Sequence, residues 1–359
     1  MRNQIACNRK EMGVNKRRLL IFVIAGSVSF IGFEDAYPDD VAAFYKGKQI
    51  QFLIGGNAGV SYDLTGRALA AHIVRHIPGN PTVKVENMPG ASSVIMMNHL
   101  YNRSPRDGTV IGAPLNNILL EPKLKLISQQ GGSIQFDLRR MNWLGSPVQE
   151  PQVMWVWHTT GVKSVAGLKG AKVVMGGTSV GADNHTLPSI VNNVFGANIE
   201  IVLGYKGPTD VFLAAERGEV HGISTAYSTL MATRKDWVTS GKVKILVQFG
   251  ASRALDLPDV PTAMEIAPDT ESRQLFEFIA SKFVLARPYA LPPDVAPERV
   301  LALRNAFDAT MKDPACLADA AKVSLDINPV NAREMDKVIE NIEKTPNNII
   351  NRIRTIFHN

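Results

Sequence analysis

From residue 48 onward, short apolar runs alternate with longer amphipathic ones. Residues 49–54 (QIQFLI) read as a buried strand, and the Gly-rich stretch 55–59 behind it reads as a loop. A helical period follows over 63–77, with Asp63 or Ser61 as its N-cap. Pro78, Gly79, Asn80 and Pro81 stop it. Residues 82–86 are the next predicted strand and 87–93 a second loop, after which a helix runs through Leu100. An Asp107-Gly108 turn leads into a third strand over 109–112. This β-α-β-α-β order predicts a parallel sheet with right-handed crossovers.

The pattern restarts after residues 147–151. Residues 153–157 alternate as a strand, 162–168 form a short helix and 172–175 a further strand. The polar, Gly-rich stretch 176–185 precedes a helix that ends at Phe195. Strands over 199–202, 220–224 and 243–248 and a helix over 208–217 complete the second unit. The tail from residue 292 is mostly helical, with helices over 299–311 and 331–344, and completes the first unit. The expected organisation is α/β with two lobes, 44–148 plus 262–359 and 149–261. The chain crosses between them near residues 148 and 260. Two crossings make a hinge, and a hinge between two α/β lobes makes a clamshell.

Composition agrees with a folded core: 359 residues, 45% hydrophobic and 20% charged. The net charge of +6 is partly a property of the first 36 residues; without them 33 basic and 30 acidic residues remain, a net +3. No basic stripe with interleaved aromatics is present, so nucleic acid is not an expected partner. Lys16, Arg17 and Arg18 precede the apolar run that starts at Leu19, the order of a secretory signal. Residues 1–36 are therefore read as a signal peptide, with Met12 as a second possible start and an uncleaved anchor as the alternative. Cys7 lies in that segment and Cys316 stands alone, so no disulfide framework or cysteine metal site is expected.

Two strand–Gly-loop–helix units carry the candidate chemistry, residues 54–63 and 175–185. A helix start offers unpaired N–H groups and partial positive charge, and glycine lets a ligand approach the backbone. Neither loop contains Lys or Arg. An anion there would be held by backbone N–H groups and by the hydroxyls of Ser61, Thr178 and Ser179, which suits a carboxylate better than a phosphate. No P-loop or dinucleotide fingerprint is present. The rival reading is a hydrolase. Residues 177–181 fit G-x-S-x-G after a strand, which would make Ser179 a nucleophile, with Asp210 or Asp236 and His221 or His358 behind it. His72 and His76 lie four apart and read as a solvated helix face rather than a metal pair. Trp155 and Trp157 read as core.

Several segments in order carry a resemblance. They are Tyr45-Lys46-Gly47-Lys48; Tyr62-Asp63-Leu64 with Arg67 beyond; Val85-Glu86-Asn87-Met88-Pro89-Gly90-Ala91; and Pro105-Arg106-Asp107-Gly108-Thr109. The second half adds Val202-Leu203-Gly204-Tyr205-Lys206-Gly207, Glu216-Arg217-Gly218-Glu219-Val220 and Leu257-Pro258-Asp259-Val260-Pro261-Thr262. From about residue 44 to 356 the chain resembles the substrate-binding proteins of tripartite tricarboxylate transporters, the TctC or Bug-type family. The resemblance implies a periplasmic-binding-protein-like clamshell that is not an enzyme and carries no cofactor or metal. It implies a periplasmic, monomeric receptor that takes a small organic acid between its lobes and hands it to membrane permease subunits. The ligand-binding residues it implies are Ser61, Tyr62, Asp63, Ala91, Ser92, Thr178, Ser179, Gly181, Asp183, Tyr205, Ser224 and Tyr227. A sensor docking to a signalling partner has the same sequence requirements. The chain departs from the family pattern in three places. Val60 and Ser61 stand where consecutive glycines are usual, Ser92 and Ser93 replace a glycine, and His221 occupies an often acidic position.

Overall fold

The computed structural model describes residues 39–126, 133–322 and 325–358; the signal-peptide segment 1–36 lies outside them. Strands β1 (Gln49–Ile54), β2 (Thr82–Asn87) and β3 (Val110–Ala113) form the expected parallel unit, with β1 in the middle. Helix α1 (Asp39–Tyr45) precedes it, α2 (Ser61–Ile73) and α3 (Val94–Asn102) connect its strands, and the short α4 (Glu121–Leu124) follows. The period-two alternation of β1 explains its burial. Ile50, Phe52 and Ile54 enter one core cluster and Leu53 another on the opposite face.

The sheet is mixed rather than wholly parallel. β4 (Asn142–Ser146), β10 (Tyr289–Leu291) and β11 (Val330–Asn331) add an antiparallel flank, giving the order β11-β4-β10-β3-β1-β2. Pattern reading misses all three, because they are short and β4 and β10 are almost wholly buried, leaving little alternation to detect. The second sheet has the order β7-β6-β8-β5-β9. It comprises β5 (Gln152–Trp157), β6 (Val173–Gly176), β7 (Ile199–Val202), β8 (Gly222–Ala226) and β9 (Val243–Phe249). β6 is parallel to β7 and β8, whereas β5 runs antiparallel to β8 and β9. Its helices are α5 (Asp183–Phe195), α6 (Pro208–Glu216) and α7 (Tyr227–Thr239).

The chain leaves the first sheet after β4 and returns through α8 (Thr270–Val284) to β10. The two connections lie side by side. Glu150 N–H donates to the Phe283 carbonyl (2.8 Å), Ala286 N–H to that of Val148 (3.3 Å) and Arg287 N–H to the Ser146 hydroxyl (3.1 Å). Residues near 260 stay with β9 instead. Gln248 N–H donates to the Pro261 carbonyl, and the buried Gln248 amide donates to the carbonyls of Leu257 (2.9 Å) and Val260 (2.7 Å). A buried amide needs these partners, and they hold the Pro-rich turn in place.

The tail supplies α9 (Pro297–Thr310), α10 (Pro314–Lys322), α11 (Ala332–Lys344) and α12 (Asn347–His358). α10 packs on α2, α11 on β4 and α8, and α12 on both α8 and α5. So the last helix also meets the second unit, where Arg352 donates to Asn193 (3.0 Å). His72 and His76 do not lie on a solvated face. His72 meets Asp319 at 2.9 Å, and Asp313 takes both His76 (3.0 Å) and Arg75 (2.7 Å) across the α2–α10 seam. Cys316 is buried in α10, and Trp155 packs in the core against Phe212 and Trp237. Among the described residues no helix is long and apolar enough to cross a membrane.

Candidate functional site

Three loops meet at the carboxyl ends of β1, β2 and β3, the edge where open α/β sheets present ligand sites. Ser93 ties them. Its buried hydroxyl donates to the Gly55 carbonyl (3.1 Å) and accepts from Leu115 N–H (2.9 Å). A Cβ on Gly55 would overlap that hydroxyl, so the first glycine of the loop is required by packing. Ala91, Ser92 and Ser93 all hold left-handed backbone, with φ of 44°, 50° and 78°, a strained turn ahead of α3. Ala91 and Ser92 lie in this turn, half-buried.

α2 begins at Ser61 with Val60 as N-cap, and no side chain caps it. Asp63 therefore is not the cap. It sits in the first turn and reaches back, so that its buried carboxylate accepts from Gly59 N–H (2.8 Å), Arg67 (2.9 Å) and Asn87 (2.9 Å). Burial raises the Asp63 pKa, but these bonds outweigh it and hold the carboxyl below its usual range. Asp63 thus fixes the loop, while Ser61 is exposed and Tyr62 half-buried in a first helical turn whose leading N–H groups no side chain caps. The Tyr62 hydroxyl accepts from Asn116 N–H at 3.4 Å. Burial pushes its pKa up to about 12, opposed by Arg287 and reinforced by Glu150 and Asp183.

In the second unit, Thr178 is held by Asn184. The amide oxygen accepts from Thr178 N–H (2.9 Å) and from its hydroxyl (3.1 Å). Gly181 has φ +84°, and its N–H donates to His185 Nδ1 (3.3 Å). Ser179 is exposed on the same loop. Tyr205 lies on the neighbouring turn, with its N–H on the Gly177 carbonyl (3.3 Å). Asp183, the first residue of α5, pairs with Lys282 near the end of α8. Ser224 is buried in β8 with an unpartnered hydroxyl, and Tyr227 opens α7, its phenol raised by burial and a bond to Asp256.

Two cations that the loops lack arrive from the return connection. Lys282 Nζ joins Asp183 to Asn117 (3.1 Å), and Asn116 donates its side-chain N–H to the Lys282 carbonyl (2.9 Å). Arg287 is 7% exposed and lies over the Tyr62 ring, 3.9 Å from its centroid. It donates to the Ser61 hydroxyl (3.2 Å) and to Glu150 (3.3 Å), while Ser228 donates to the other Glu150 oxygen (3.0 Å). The starts of α2 and α5 are thereby linked through Tyr62, Asn116, Asn117, Lys282 and Asp183. No sequence motif marks Lys282 or Arg287; both precede β10, the strand that pattern reading misses. A cavity of about 480 Å³ lies elsewhere, between α8, α11 and residues 251–264, and contains none of these groups.

Among the described residues, no hydrogen bond joins Ser179 to a histidine. His185 is engaged with Gly181, and His221 Nδ1 accepts from Val174 N–H (2.9 Å). Among the described residues no His, Cys, Asp or Glu cluster could hold a metal ion.

No curated protein matches the chain in sequence. Solved structures match over most of their length. A TctC solute-binding protein from Polaromonas aligns with a TM-score of 0.67 at 18% identity, covering 86% of this chain and 99% of that one. A protein of R. palustris solved with adipate gives 0.53 at 17% identity, covering 87% and 97%. MatC from Rhodopseudomonas palustris, with bound malate, gives 0.53 at 12%, covering 86% and 99%. These likenesses establish the fold, a two-lobe α/β clamshell of the periplasmic-binding-protein kind with its cleft between the lobes. Residues 67–355 match the family described as the tripartite tricarboxylate transporter family receptor, TctC, and the chain belongs to that family.

Proposed function

We propose that the chain is an extracytoplasmic receptor that captures a small organic acid for a tripartite tricarboxylate-type transporter. One observation carries this reading: helix starts at Ser61 and Asp183 that no side chain caps are linked by hydrogen bonds through Tyr62, Asn116, Asn117 and Lys282. Free N–H groups there, with the hydroxyls of Ser61, Thr178 and Ser179, suit a carboxylate. Adipate and malate in the two R. palustris relatives support the same ligand class. In this proposal Ala91, Ser92, Gly181, Tyr205, Ser224 and Tyr227 line or shape the cleft, and Asp63 holds its first loop. Residues 149–261 then belong to the second lobe, 44–148 with the segment after the return connection at 283–287 form the first, and residues 1–36 direct export to the periplasm. The receptor acts as a monomer, delivers to permease subunits and catalyses no reaction.

A thermal-shift screen of the protein against short carboxylates tests this. Binding stabilises by RT ln(1 + [L]/Kd), about 2.7 kcal/mol at a hundredfold excess over Kd. A shift with at least one acid and none with its amide is expected. No shift with any acid would overturn the proposal.

A further inference from the structure

Arg287 is a buried cation whose donors are poorly used. A guanidinium offers five N–H groups in a planar fork. Here Nη1 bonds Glu150 and the Ala286 carbonyl, Nη2 bonds Ser61, and the buried Nε has no partner. The two side-chain bonds, at 3.3 and 3.2 Å, are long for a charged donor, which normally bonds at about 2.7–2.9 Å. Exposed pairs of the same protein do better: Arg75–Asp313 is 2.7 Å and Arg253–Glu265 2.9 Å. An unmade bond costs most where water is excluded, so this arrangement is the reverse of what stability alone would select.

The position is also well fixed. Arg287 N–H is held by Ser146 and Ala286 N–H by Val148, so the residue is built into the paired connections between the lobes. The Tyr62 ring covers one face of the guanidinium and leaves its edge. Its Nη2 end points at Ser61, where the first N–H groups of α2 are free. The end of the fork beside a helix start fits one planar carboxylate, taken end-on by Nη1 and Nη2, so that a bound acid competes with Glu150 for Nη1.

We propose that Arg287 anchors the ligand carboxylate and that Glu150 is a resident stand-in which the ligand displaces. This rests on the receptor reading above and names the group that receives the acid. On displacement Glu150 keeps its bond from Ser228, so it has a place to go. The anchor escaped sequence reading because it lies far along the chain from both Gly-rich loops.

The test measures Kd, by thermal shift and calorimetry, for short aliphatic mono- and dicarboxylates including malate and adipate, with adipamide as the uncharged control. The proteins are the parent, Arg287→Gln, Arg287→Lys and Glu150→Gln, each checked for its unliganded melting point and circular dichroism. For any acid that binds the parent, Arg287→Gln weakens binding at least about tenfold, and Arg287→Lys restores only part because it lacks the fork. Glu150→Gln tightens binding by removing the competing charge. If Arg287→Gln fails to fold, Glu150→Gln decides: unchanged or weaker binding overturns the proposal. Acids that bind the parent and Arg287→Gln within about twofold of each other also overturn it, and leave the receptor reading standing. If no acid binds any of the four proteins, both fall together.

Discussion

Asp63 shows how one buried carboxylate organises a loop. Its carboxylate gathers Gly59 from the loop after β1, Arg67 from α2 and Asn87 from the end of β2. Asp63→Ala strands these donors and should cost about 2–4 kcal/mol in urea denaturation, with Asp63→Asn recovering part. Because its folded pKa is depressed, its contribution is complete above the ordinary carboxylate pKa of about 4 and is lost as pH falls through the folded value. Urea midpoints at neutral pH and near pH 3 should therefore differ more in the parent than in Asp63→Asn. The sequence marks Asp63 as important by its place at a helix start. It does not say whether the carboxylate faces ligand or loop, because that depends on Asn87 arriving from the next strand. Lys282 and Arg287 were beyond reach for the same reason, since their chemistry comes from a connection that carries no motif.

At the level of elements, local pattern was most informative where strands are long and alternate. β1, β5 and β9 stand where the periodicity places them. β10 and β11 owe their strand conformation to neighbours rather than to their own residues. Tight contacts between elements are equally hidden. The overlap between a Cβ on Gly55 and the Ser93 hydroxyl joins the loop after β1 to the turn before α3. Gly55→Ala should lose about 1–3 kcal/mol of stability, as overpacked sites do. Gly167→Ala, whose added carbon would meet Val162 at an ordinary 3.5 Å, should stay within about 0.5 kcal/mol. The α2–α10 seam makes a further element-scale expectation. Asp313→Asn weakens the contacts of both Arg75 and His76, so amide exchange in α10 should quicken while that in β1 stays slow.

At the scale of the whole molecule, the two lobes are joined by connections that are bonded to each other, and the first sheet is built from both ends of the chain. Gly112 in β3 is paired on one side with β1 and on the other with Ala290 in β10, which follows the entire second sheet. During synthesis β3 must therefore wait with an open edge until that distant segment emerges. A chain stopped before Tyr289 should remain protease-sensitive and prone to aggregate, whereas the complete chain refolds from urea to a resistant form. For a protein proposed to leave the cell interior before it works, late closure has a use: the nascent chain stays threadable until β10 emerges, in the last fifth of its 359 residues.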